Sequence, residues 1–510
     1  MAAGAIVEDG RWLGSLHDEL RARLAPVFCQ ARSRLVAFAY IGALLAAGGD
    51  RRSCWQLAEA AGHGSPRRMQ ALLAEHAWDW QEALGALRRF ILGHLADPRA
   101  VLVLDETAEL KQGRMTVGVA RQHAGITGQV ENCQTVVLMA YVTSRGHAPF
   151  DFRLYLPKSW CADRERREGA AVPEGTEFAT KTEQGTEMVT TAISSGVPFA
   201  FLAGDEVYGR SSKLRAACER HGKGYVLAVP VNFTITLPSR RRVPVASLAR
   251  LVPARCWETR SCGRGCKGHR DYHWAWAATA SPRHHMLIRR SLSDPSDLAF
   301  FYCHAPAGQP VSLPALIAVA GKRWPAEECH QQGKGQAGLD QHQVRLWHSF
   351  HRHTVLSMCA LALLAVAAAR PLPSAPLTQA AGTVPAVTAQ PPAWAGTGAL
   401  PSSAHEPAPK DPGMVKVSVP EARRLLNLAT TPMTAAARQL GYAWSRWRRK
   451  HQARARYHHY QARLRAAPEA GRSTGRRRDR GRRCGRVYFV SNTVGARPSP
   501  ITDYERMRAD

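Results

Sequence analysis

Two apolar runs set the frame of the chain. Residues 100–104 and 197–203 are apolar throughout, and each run leads into an acid, Asp105 directly and Asp205 after Gly204. Runs of this length without polar positions predict strands buried on both faces. Between them, residues 115–121, 134–143 and 148–155 read as further strands separated by turn residues. Residues 178–194 have helical spacing. So do residues 211–221, which precede an apolar run at 225–229. Upstream, residues 11–97 read as helical. Residues 54–62 and 65–73 suggest a helix, a glycine turn and a second helix, with Ser65 as N-cap and Pro66 at the first helical position. That pair is either a helix-turn-helix or a plain helical hairpin. Downstream, residues 233–237, 274–280, 285–289 and 298–304 alternate and predict a β-rich insertion. Residues 354–369 are apolar but short of the ~20 needed to span a bilayer, so a core helix is expected.

The predicted class is α/β, a mixed sheet flanked by helices. The expected divisions are an N-terminal helical domain at 1–97, a first sheet-forming part at 98–225, the insertion at 226–310 and a second part at 311–370. Residues 371–415, rich in Pro, Ala, Gly, Ser and Thr, read as a disordered linker. Helical spacing returns at 416–465 with many basic residues, and 466–510 is an arginine-rich tail.

Charge narrows the partners. The 510 residues carry a net charge of +29, with a pI of about 10.3. A polyanion is implied, and nucleic acid is the economical choice. An anionic membrane is the alternative, but no strongly amphipathic terminal helix supports it, so no membrane partner is expected. The first residues lack the charged and apolar regions of a signal peptide. Twelve scattered cysteines suit a reducing cytoplasm, here at the nucleoid. Cys262, Cys266, His269 and His273 have the spacing of a zinc site, but four ligands would crowd one loop. A basic loop near phosphates is the plainer reading.

The acids carry the chemistry. In open α/β sheets, ligands gather at the carboxyl ends of strands. Asp105 and Asp205, with a third acid from a later helix, can converge there. Such a carboxylate set suits hard divalent cations such as Mg²⁺. Two ions about 4 Å apart would clamp the attacking and leaving oxygens of a phosphoryl transfer. Glu327 is the third acid. At roughly 100° per residue it shares a helix face with Lys334, and Glu328 points about 100° away. Pro325 requires the helix to start near it, which would place Glu327 in the first turn. A surface ion pair between Glu327 and Lys334 is the bland alternative. Glu106 and Glu206 should point away from the site, Tyr208 should pack, and His330 is expected to be structural.

The arrangement resembles the DDE transposases of bacterial insertion sequences, in the branch with the signature Y-x2-R-x3-E-x6-K. Arg323, Glu327 and Lys334 match it, while Ala320 stands at the tyrosine position. Leu104-Asp-Glu-Thr107, residues 118–122 and 131–134, Leu154-Tyr-Leu-Pro157, Gly204-Asp-Glu-Val-Tyr-Gly209 and Gly338-Leu-Asp340 also belong to the likeness. It implies a ribonuclease-H-like catalytic fold in which Asp105, Asp205 and Glu327 hold two Mg²⁺ (or Mn²⁺) ions. It implies that Arg323 and Lys334 grip DNA phosphates. The expected partner is double-stranded DNA, at element ends and at the target, bound by a homodimer that moves the element by cut and paste. A non-catalytic DNA-binding descendant and a nuclease of the same fold are the alternatives.

Overall fold

The computed structural model describes residues 2–48, 51–265, 268–308, 311–370, 414–431 and 434–466. The chain divides into two units, 1–461 and 462–510. Five helices come first: α1 (Ala2–Leu24), α2 (Ala31–Ala46), α3 (Cys54–Ala60), α4 (Arg67–Ala74) and α5 (Trp80–Leu95). The expected pair at 54–73 is present as α3 and α4. Pro66 rather than Ser65 stands at the N-cap position of α4, although its backbone is already helical (φ −72°, ψ −10°).

A mixed sheet follows. β1 (Val101–Leu110), β2 (Ala120–Ala124), β3 (Gln129–Val142) and β4 (His147–Tyr155) form an antiparallel meander. Then come α6 (Lys158–Cys161), α7 (Arg164–Gly169), α8 (Lys181–Ser194), β5 (Phe201–Gly204), α9 (Glu206–Gly209), α10 (Ser212–Arg220) and β6 (Gly224–Val229). β5 runs parallel to β1, and β6 parallel to β5. The order β4-β3-β1-β5-β6, three antiparallel strands and then two parallel to β1, is that of a ribonuclease-H-like sheet. Residues 115–119, expected as a strand, form a turn instead. Val117 and Val119 are buried there, but Gly118 has a φ of +74°, which a strand does not allow. The alternation signalled burial, not pairing.

The β-rich stretch holds a small hairpin, β7 (Thr234–Thr236) and β8 (Arg242–Pro244), and then α11 (Val245–Leu251). It continues with β9 (Glu258–Gly265), β10 (Gly268–Ala278), β11 (His284–Arg290) and β12 (Leu298–His304). β12 pairs antiparallel with β6, so these strands extend the same sheet, which reaches ten strands.

Three helices follow: α12 (Leu313–Ala320), α13 (Arg323–Ala337) and α14 (Trp347–Ala369). α14 is longer than its apolar run. By length and composition it could cross a membrane, but nearly all of it is buried among α1, α2, α4, α5, α13 and β4. Each fully buried leucine here, Leu356 or Leu363 for example, contributes about 1.5–3 kcal/mol. The linker expected over 371–415 lies outside the described residues up to 413, and so does the tail from 467. After it come α15 (Val419–Thr430) and α16 (Ala435–Ala466). α15 is part of the main core: Val419, Ala422, Leu425 and Leu426 are buried in the same apolar cluster as α14.

Candidate active site

The strand register builds the site. Val103 stands opposite Ala203 in the parallel pair β1–β5. Asp105 and Asp205 each lie two residues further on, level with one another and on the same face, because side chains alternate along a strand. That face carries Val101, Val103 and Ala203 in one apolar cluster with Ala326 of α13. Glu327 is the next residue. The three acids therefore come from two adjacent strands and the helix that covers them.

Asp105 does not end its strand, as the sequence suggested. β1 runs on to Leu110, because β3 is long enough to pair with it down to Cys133. Asp205 does follow its strand directly. Its Oδ1 caps α9 by accepting from the Val207 and Tyr208 N–H groups at 2.9 and 3.4 Å. Glu327 lies in the second turn of α13, not the first, since the helix begins at Arg323. Pro325 is its third residue, where no intrahelical N–H is needed.

The charges are coupled. Burial raises the Asp205 pKa, and the nearby charges of Asp105 and Glu106 raise it further against the pull of Arg323. Burial likewise raises Glu327, with Asp105 adding to it and Arg323, His330 and Arg270 opposing. For Asp105, burial is outweighed by the hydrogen bond and charge of His330, by the Glu106 N–H and by Arg323, so its pKa falls. Arg323 thus acts on all three acids, and it lies 3.5 Å from Glu327. His330 Nδ1 lies 3.6 Å from Asp105 Oδ2. The sequence placed His330 beside the site but gave no sign of this contact, which depends on α13 crossing β1.

The neighbouring acids point elsewhere. Glu106 lies on the opposite face of β1, 2.7 Å from Lys181 of α8. Glu328 accepts from Gln332 at 3.1 Å. Glu206 is exposed. Tyr208 is fully buried, packed against Gly185 and Gly204. Lys334 does not pair with Glu327. It donates to the Ala108 carbonyl at 3.3 Å and lies 4.0 Å from Asp340.

Among the described residues, no three His, Cys, Asp or Glu side chains are close enough together to hold a metal ion as they stand. The donor set nevertheless suits a hard divalent cation: carboxylate oxygens whose burial, with the charge of Asp105 adding to it, raises two of the three pKa values, a cost that bound positive charge relieves. In the insertion, Cys266 lies outside the described residues, and His269 and His273 lie along β10.

Residues 23–255 match the DDE superfamily endonuclease family. Over that segment, somewhat less than half of its length, the chain is similar to this family. The matched segment includes Asp105 and Asp205 and ends before α13. The chain is also similar to a probable transposase for insertion sequence element IS701 of Microchaete diplosiphon, 24% identical over 194 residues. That alignment covers 38% of this chain and 48% of the relative, so the chain spans about half the length of the curated protein it matches. Among solved structures it is similar to the piggyBac transposase synaptic complex with hairpin DNA, at 12% identity and a TM-score of 0.33 over 66% of each chain.

Proposed function

We propose that this chain is a DDE superfamily transposase that cleaves and joins DNA at the ends of an insertion sequence. The observation that carries the reading is that Asp105 and Asp205 leave adjacent strands level with one another beneath the helix that carries Glu327, with Arg323 3.5 Å from Glu327. Two Mg²⁺ ions, or Mn²⁺, held by these three acids would supply Lewis acidity to the attacking and leaving oxygens of a phosphodiester. The chain's own residues do the rest. His330 keeps Asp105 ionised and oriented. Arg323, with its planar fork, holds a phosphate oxygen beside the acids. Lys334 offers a point charge further along β1. The net charge of +29 draws double-stranded DNA, both element ends and target, to the surface. A homodimer on paired ends, working at the nucleoid in the cytoplasm, completes the proposal.

Incubating the protein and Mg²⁺ with DNA that carries the sequences flanking its gene tests this. Ends cut and joined to a second DNA are the expected products. Cutting without joining would instead identify a nuclease, and binding without cutting a non-catalytic descendant.

A further inference from the structure

α16 has two unlike faces. Tyr442, Ser445, Arg449 and Ala453 are buried on one side. That side is fastened by Arg448, which donates to both oxygens of Glu421 at 2.7 and 3.0 Å, and by Arg449, which donates to the Val415 carbonyl at 3.0 Å. The opposite side, at the spacing 440, 444, 447, 451, 454 and 458, is exposed throughout. It presents Leu440, Trp444 and Trp447 at 61%, 52% and 56% exposure.

A tryptophan costs free energy in water, and two side by side on one open helix face call for a partner. The rings are already arranged as a platform. Trp444 meets Trp447 edge-on at 5.5 Å, and His451 stacks on Trp447 at 5.1 Å and 8°. The helix sequence holds no Asp or Glu, and it places Arg454 on the same face as the aromatics, with Lys450 and Arg446 along its edge. An acidic protein surface would satisfy the cations but not the ring faces. A second copy of this helix would satisfy the rings but set cation against cation. A polyanion with flat apolar faces satisfies both. Unpaired bases stack on indole regardless of sequence, while their phosphates meet the cations.

We infer that the outward face of α16 binds single-stranded DNA, stacking unpaired bases on Trp444 and Trp447 while the flanking cations hold the phosphates. This rests on the transposase reading for its biological occasion, DNA unpaired near a cut end. It does not rest on catalysis.

The test measures binding of a labelled oligothymidylate, and of a labelled duplex, to the full-length protein without divalent cations. Trp444→Ala with Trp447→Ala should weaken single-strand binding at least about tenfold. It should leave the salt dependence unchanged, because no phosphate contact is lost. Trp444→Phe with Trp447→Phe should keep most of the affinity. Arg454→Ala should lower the slope of log K against log salt by about 0.7. Unchanged single-strand binding in the double alanine variant would overturn the inference, and so would equal loss on single strand and duplex. A fall in mass by light scattering with DNA binding intact would show instead that the face joins two copies. A wild-type protein that binds single strands but cuts no DNA with Mg²⁺ would count against the catalytic reading and leave this one standing.

Discussion

Lys334 Nζ lies 4.0 Å from Asp340 Oδ2 and 3.3 Å from the Ala108 carbonyl, so this lysine is held over the distal half of β1, three residues past Asp105. An ion pair with Glu327, the bland reading of their spacing, is not made. The contact with Asp340 is long and partly exposed, and such pairs contribute about 0–1 kcal/mol.

Lys334→Ala should therefore melt close to the wild-type temperature. If the lysine grips a phosphate, cleavage of pre-bound ends in a single turnover should slow at least about tenfold, roughly 1.4 kcal/mol of barrier. Lys334→Arg should fall between, since it keeps the charge and changes the shape. Cleavage at the wild-type rate would make Lys334 a structural residue of β1.

Gly209 controls where Asp205 sits. A Cβ there would lie 1.8 Å from the Ala228 carbonyl oxygen, while the Gly209 N–H donates to the Asp205 carbonyl at 2.9 Å. Gly209→Ala must push α9 off β6 and carry the Asp205 backbone with it. Overpacking of this kind costs about 1–3 kcal/mol. Lower stability with loss of cleavage is expected. Gly14→Ala, with open space around the new Cβ in α1, serves as the control and should be neutral or mildly stabilising. Equal melting of the two variants would contradict the packing of α9 on β6.

Two buried histidines make the fold sensitive to acid. Burial, above all, lowers His351 to about 4 and His353 to about 3 from the ordinary 6.5. Between those values and 6.5 the unfolded chain takes up protons that the folded chain refuses. Stability is then fully present above about pH 6.5 and falls as the pH drops, by up to about 1.4 kcal/mol per pH unit for each histidine. Glu109, held by Lys111 and His342 against burial at about 2, adds a second loss below its ordinary 4.5. Urea midpoints at pH 7, 6 and 5 should fall steadily, and a flat profile would mean that both rings take up protons in the folded chain as readily as in the unfolded one.

The sequence reveals an element where one principle governs it. The run 100–104 predicts a buried strand and is one, because nothing competes with burial there. Its continuation through Asp105, Glu106 and Glu109 reads as polar, and it persists because His330 meets Asp105, Lys181 meets Glu106, and Lys111 and His342 meet Glu109. β9 escaped notice because, as the last strand of the sheet, it is almost all polar and largely exposed. The pairing of β12 with β6 joins residues about seventy positions apart, and no local pattern encodes it. At the site, the three acids were visible as residue types following apolar runs and in the spacing Arg323-x3-Glu327-x6-Lys334. The contacts of His330 with Asp105 and of Lys334 with Asp340 were not visible, because they follow from the angle at which α13 crosses β1.

The central claim is that Asp105, Asp205 and Glu327 act together on DNA. Single-turnover, Mg²⁺-dependent cleavage of pre-bound DNA ends, compared across Asp105→Ala, Asp205→Ala, Glu327→Ala and Glu328→Ala, tests it most directly. Each of the first three should abolish cleavage while end binding persists. Glu328→Ala should cut at a rate near wild type, because that side chain faces Gln332 and Arg456. Cleavage that survives Glu327→Ala and disappears with Glu328→Ala would contradict the assignment of the third acid.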